Sequence, residues 1–225
     1  YQPAVETTDK YDIDDDGTKD TVYEISNAGQ LYWFAEQVNS GNTKINAVLV
    51  NDITVNENLL NSLEVDSYGN VSNGSNFTAW TPIGTDSSYS GKFDGQKYKI
   101  SGLYFNYRDI NDNSNIVSVG LFGTMNKGTV SNVCVADSYF KGSMLTGGVC
   151  GDSGGTVENC YNTGTISSDK AGGGVCGYSE GTVENCYNTG TVSGGYAGGV
   201  CGTNSYGTID NSYNTGTVSG GYAGG

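Results

Sequence analysis

Histidine is absent from the 225 residues of this chain. That absence excludes imidazole-based triads, histidine-ligated zinc and histidine general bases. Positive charge is scarce too, with 10 Lys and Arg against 24 Asp and Glu and a formal net charge of −14. Such a surface repels phosphate, which argues against nucleic acid or an anionic membrane as partner. No apolar run approaches the roughly 18 residues of a spanning helix, so no membrane insertion is expected. No signal peptide precedes Tyr1 and no Met opens the chain, which predicts a mature or excised fragment. The six cysteines include no C-x-x-C pair, against a zinc knuckle or redox motif. Leucine does not occur after Leu145, which removes a leucine-rich repeat from consideration.

Glycine, by contrast, is abundant, and 23 of its 36 copies lie from Gly147 onward. They recur at a fixed period. A glycine-apolar-glycine element stands at Gly120–Gly123, Gly148–Gly151, Gly174–Gly177 and Gly199–Gly202. A second element reads GTVSNV from Gly128, GTVENC from Gly155 and Gly181, and GTIDNS from Gly207. Steps of 25 to 28 residues are those of a solenoid. With leucine missing, the expected fold is all-β: a right-handed parallel β-helix of about 26 residues per turn, the hand following from the crossover rule. Strands stacked in register at about 4.8 Å bring equivalent residues into ladders. Val157, Val183 and Ile209 are expected in the core, and Asn159, Asn185 and Asn211 as an asparagine ladder, with glycines at positive φ turning the corners. The last copy stops at Gly225 where another GGVCG is due, which predicts that the array continues.

Residues 1–24 read as an acidic lead-in. In YDIDDDGTKD the spacing of Asp12, Asp14, Asp16, Thr18 and Asp20 is that of a calcium loop, with Gly17 at the sharp turn. Position 12 of that loop is Tyr23, with Glu24 one residue late, so the pattern is that of an isolated calcium turn instead of an EF-hand. Calcium is the one cofactor it suggests; a solvated acidic linker is the alternative. Residues 25–42 read as a capping helix, with Ser26 as N-cap, Leu31, Phe34, Ala35 and Val38 on one face, and Gly41 as the stop. Residues 43–225 then form the β-helix, regular from about 119. Strands are expected within 47–56, 80–84, 92–106 and 118–123, with a polar insertion from Glu64 to Thr78.

The ordered blocks EISNAGQLYWFAEQVNSG, VLVNDITVN, WTPIG, FDGQKYKISGL and GLFG, followed by GTVENCYNTGTVSGG-type repeats, resemble the GLUG repeat of bacterial cell-surface proteins, adhesin-like and IgA-protease-like polypeptides included. The likeness covers residues 22–225. It implies a right-handed β-helix with an N-terminal helical cap on a secreted or wall-attached bacterial protein. It implies no activity, and no metalloprotease zinc motif is present.

Function is expected to be that of a non-enzymatic extracellular module for structure or adhesion, with glycans or host cell-surface proteins as partners. Tyr32 and Trp33, and the columns Tyr161, Tyr187 and Tyr213 with Glu158, Glu184 and Asp210, could contact a ligand or cover the flank. Paired carboxylates one rung apart would suit a polysaccharide lyase or glycoside hydrolase. However, a residue repeated in every rung reads as structural, where a catalytic pair should occur once. Thr163, Thr165, Thr189, Thr191, Thr215 and Thr217 form T-x-T columns like those of ice-binding solenoids, interrupted by glycines that look like corners. Cys150, Cys176 and Cys201 are expected as a buried, reduced ladder.

Overall fold

In a computed structural model that describes residues 1–110 and 115–225, the chain winds into a parallel β-helix of three sheets. The first sheet starts with β1 (Val5–Tyr11) and β2 (Asp20–Ile25), an antiparallel hairpin, and continues in parallel through 46–49, 92–94, 122–131, 150–158, 176–179 and 201–204. The second sheet stacks 53–54, 99–101, 134–136, 161–162, 187–188 and 213–214. The third stacks 104–106, 139–142, 165–168, 191–198 and 218–224, with the short strands 118–119, 145–147 and 171–173 beside them. Along the first sheet Phe122 pairs with Cys150, Cys150 with Cys176 and Cys176 with Cys201, so turns advance by 28, 26 and 25 residues.

Residues 1–24 are thus no linker: all but the loop between β1 and β2 and the first four residues belong to the hairpin that edges the first sheet. The capping helix is α1 (Ala28–Asn39), shorter at both ends than its expected span. Its N-cap is Asn27, not Ser26; Asn27 Oδ1 accepts from the Gln30 N–H at 2.9 Å. Ser26 instead donates its N–H and hydroxyl to the Gln30 side-chain oxygen, a capping box displaced by one residue. Leu31, Phe34, Ala35 and Val38 are all buried, so α1 closes the first turn where strands of the other two sheets have yet to form.

Beneath α1 the core is aromatic. Phe34 meets Tyr89 and Phe93 at ring-centroid distances of 6.0 and 5.8 Å, and Phe122 packs on both of those rings. Further on the core runs in columns that pass from phenylalanine to valine and isoleucine. One runs Phe93, Val130, Val157, Val183, Ile209; another Phe105, Phe140, Ile166, Val192, Val218. Burial is complete as far as Val192 and is lost at Ile209, on the last turn.

WTPIG forms no strand, only isolated bridges beside it through Ala79 and Ile83. Its single proline and the residues after it are held by a side chain: Asn39 donates to the Pro82 carbonyl and accepts from the N–H groups of Gly84 and Thr85. The polar insertion is fastened as well: Asn56 donates to the Thr78 carbonyl and accepts from the Thr78 N–H, and Asn73 donates to the Ser62 carbonyl. Among the described residues no helix is long and apolar enough to cross a membrane.

Candidate functional site

The hairpin loop brings together one carboxylate oxygen from each of Asp12, Asp14 and Asp20, all within 4.8 Å of one another. Local bonding explains the shape. Asp12 accepts from the N–H groups of Asp16 and Gly17, and Asp20 from that of Ile13. Desolvation within the turn and then the charges of Asp16 and Asp20 push the exposed Asp14 carboxyl up from its ordinary value. Asp16 and Thr18 behave differently from the expected ligand set: both the N–H and the hydroxyl of Thr18 donate to the Asp16 carboxylate, which holds it low. Tyr23 donates to Glu6, and Glu24 is engaged by Lys10 and Tyr11, so neither supplies the twelfth-position oxygen. Three hard oxygen donors in a polar turn fit calcium or magnesium better than any softer ion.

The repeat columns use their chemistry on one another. Tyr161, Tyr187 and Tyr213 stack with centroids 4.5 and 5.0 Å apart and planes within 7° and 4° of parallel. Both faces of Tyr187 are therefore occupied, while Tyr213 has a stacked ring on one face only and is 55% exposed. Glu158, Glu184 and Asp210 stand in register along the first sheet. Cys150, Cys176 and Cys201 pair in register too, and all six cysteines are free thiols, with only Cys201 partly exposed. Burial pushes the Cys150 and Cys160 thiols up, while the neighbouring Cys201 thiol and then burial do the same to Cys176.

Asn159, Asn185 and Asn211 do not form the amide ladder. Each sits at positive φ, 53°, 51° and 47°, and turns the corner that glycine was expected to turn. The ladder lies three residues on: Asn162 donates to Asn188 at 2.9 Å, and Asn188 to Asn214 at 2.8 Å. Each of these carboxamides also accepts from and donates to the glycine two residues ahead. Their position continues a column that begins Ile53, Ile100, Val135, so the core passes from aliphatic to amide without a break in register. The repeat corners at Gly164, Gly190 and Gly216 need glycine for closeness, not for φ: a Cβ on Gly190 would lie 1.9 Å from the Gly164 carbonyl oxygen. These corners separate the two threonine columns onto the second and third faces, so no flat threonine array forms.

Tyr32 is buried, edge-on to Trp80 and bonded through its hydroxyl to the Ala79 carbonyl at 2.6 Å; Trp33 packs on Tyr23. Both serve the cap. A set the sequence reading passed over is Asp152, Tyr178 and Tyr196, which line a groove between the third and first sheets. The signal for them was that they change from turn to turn at positions flanked by strict repeats.

Residues 169–193 and 193–219 each match the family described as the GLUG motif. Over 158 residues, 68% of its length, the chain is 30% identical to Halomucin of Haloquadratum walsbyi (strain DSM 16790 / HBSQ001), and spans 2% of that protein. A crystal structure from Bacteroides ovatus, provisionally named an immunoglobulin A1 protease, superposes with a TM-score of 0.52 over 91% of this chain and 84% of that one, at 16% identity. That likeness is one of fold. The matched segments begin and end within the regular turns of the solenoid, so residues 169–219 of this parallel β-helix are built of GLUG motifs.

Proposed function

We propose that this chain is a non-enzymatic module of an extracellular or wall-attached surface protein, a rigid rod that spaces other parts of its parent and meets glycans or cell-surface proteins along its flank. The observation that carries the reading is the Tyr161–Tyr187–Tyr213 stack beside the Glu158–Glu184–Asp210 column: the groups that could do chemistry recur turn after turn, as scaffold residues do and a single catalytic pair would not, and the tyrosines are stacked on one another. The mucin-named relative supports a surface setting. The test is incubation with acidic and neutral polysaccharides, with and without calcium, followed by assay for reducing ends and unsaturated products. No product is expected; product formation would establish the runner-up, a carbohydrate-active β-helix enzyme.

A second reading concerns the hairpin loop. Convergence of Asp12, Asp14 and Asp20 favours a calcium ion there, where it would offset three like charges and brace the first edge of the solenoid. Asp16 and Thr18 would then support the turn and leave the ligation to the other three.

A further inference from the structure

The groove between the third and first sheets has a volume of about 770 Å³, within the ~300–1,000 Å³ typical of small-ligand sites. One wall comes from the column Leu145, Ala171, Tyr196, and the other from Asp152, Tyr178, Thr203; each set is stacked in register across three turns. The two sheets meet closely at the base because glycine allows it: a Cβ on Gly177 would lie 2.5 Å from the Thr146 nitrogen. The notch itself comes from Ala171, whose single methyl stands between the longer side chains of Leu145 and Tyr196.

Tyr196 is half exposed and stacks on Tyr222 at 5.2 Å with planes within 10°, so one face is taken and the other is turned along the ladder toward Ala171. Tyr178 rises from the opposite wall, its hydroxyl held by Glu180 at 2.8 Å. Asp152, half buried, and Lys170 add polar groups to a lining that also includes the apolar side chains of Val117 and Met144. These positions break the repeat. Where Tyr161, Tyr187 and Tyr213 are the same residue in each turn, the groove columns read Leu, Ala, Tyr and Asp, Tyr, Thr on an otherwise uniform scaffold.

We propose that this groove is a glycan-binding site, selective for neutral oligosaccharides, in which pyranose rings lie against the faces of Tyr196 and Tyr178 while ring hydroxyls bond to Asp152, Lys170 and Thr203. Three features select that ligand class. Around the centre of the groove the strands 145–147, 150–158, 171–173 and 176–179 have ladder partners on both sides, so an extended peptide finds no edge to join there. A net charge of −14, with one carboxylate and one ammonium in the lining, disfavours polyanions. Tyrosine faces beside a partly buried carboxylate offer an apolar platform together with a charge-assisted acceptor, the pairing that a sugar's CH faces and hydroxyls require. The inference extends the surface-module reading to a ligand class without depending on the hairpin loop.

The test is calorimetric titration of the whole chain with cellohexaose, maltohexaose and mannohexaose, and with hexagalacturonate as the anionic comparator. At least one neutral hexasaccharide should bind with a Kd of about 1 mM or tighter, and Tyr178→Ala and Tyr196→Ala should each weaken it about tenfold or more. Tyr187→Ala, in the closed stack, should leave binding unchanged. Ala171→Tyr extends the Tyr196–Tyr222 stack and fills the notch, so it should abolish binding while circular dichroism and melting remain those of the parent chain. Failure of all three neutral sugars to bind at about 10 mM, preference for hexagalacturonate, or binding that survives Ala171→Tyr would overturn the proposal. Cleavage of a bound sugar would refute the non-enzymatic reading and leave the groove standing.

Discussion

Asn162 donates a side-chain hydrogen bond to Asn188, 26 residues on, at 2.9 Å in a wholly buried site. The bond joins two turns inside the core, where Val135 at the same column position has only apolar contact to offer.

Asn188→Ala removes both bonds along the ladder and both to Gly190, and leaves buried donors and acceptors without partners. The expected loss is about 2–4 kcal/mol, read by urea denaturation. Asn185 is the contrast, three residues away at φ 51°. Asn185→Gly should be tolerated within about 1 kcal/mol, while Asn185→Val should cost more, since β-branched residues resist the left-handed region. Equal effects at 185 and 188 would contradict the assignment of the ladder.

Gly190→Ala places a methyl 1.9 Å from the Gly164 carbonyl oxygen, and only a backbone shift can relieve it. A loss of about 3 kcal/mol or more is expected from thermal melting. Gly224→Ala meets nothing within 4 Å and should change stability by less than about 0.5 kcal/mol.

Thiol accessibility should follow burial. A maleimide dye on the native protein should label Cys201 first, with the five buried cysteines reacting only after unfolding. Folding also holds the Cys150 thiol above its ordinary value of 9.0 because the thiolate would be desolvated. A group raised in the fold contributes stability that is complete below its unfolded value and is lost as pH rises above it. Stability should therefore decline above about pH 9, and Cys150→Ser and Cys150→Ala, neither of which can ionise there, should each make that decline shallower.

Calcium in millimolar amount should raise the melting temperature, and chelator should reverse it, if the hairpin loop binds the ion. Saturation a hundredfold over Kd corresponds to about 2.7 kcal/mol. Asp12→Asn with Asp20→Asn should remove the response; a response that persists would place calcium elsewhere. In calcium-free buffer the raised Asp14 carboxyl has the opposite sign from a paired one: its contribution is present below 3.8 and fades as pH rises through the folded value. Asp14→Asn should thus stabilise the calcium-free loop at pH 7 relative to the parent chain and make no difference at pH 3.

The period from Gly120 onward made the solenoid legible, because every turn repeats the same spacing of glycine and valine and a stacked fold must express it. The helix face Leu31, Phe34, Ala35, Val38 was equally plain, since only its 3.6-residue spacing buries all four. Asparagine was harder. Asn159 and Asn162 recur together in each turn, and periodicity alone says nothing about which of them bends the chain and which faces inward. That distinction depends on φ and on strand phase, as at Asn185 and Asn188. The β1–β2 hairpin was hidden because its burial does not alternate: β2 buries Val22 and Ile25, three residues apart, and β1 buries Thr7 alone. The groove was hidden because it belongs to no motif; it arises from three residues per wall that become neighbours only once turns stack.

The solenoid's two ends are unlike, and that gives the molecule a direction. Around α1 the large rings of Phe34, Trp80, Tyr89, Phe93 and Phe122 are at most 1% exposed, enough apolar mass to hold a nucleus of turns together. Turns after Phe140 bury only aliphatic, thiol and small polar or amide side chains, too little for any one of them to persist without a formed neighbour to template it. Growth of the fold is therefore vectorial, from the aromatic end outward, and its undoing runs backward from the last turn. Amide hydrogen exchange should trace this as a staircase, slowest in 92–131 and fastest in 201–224.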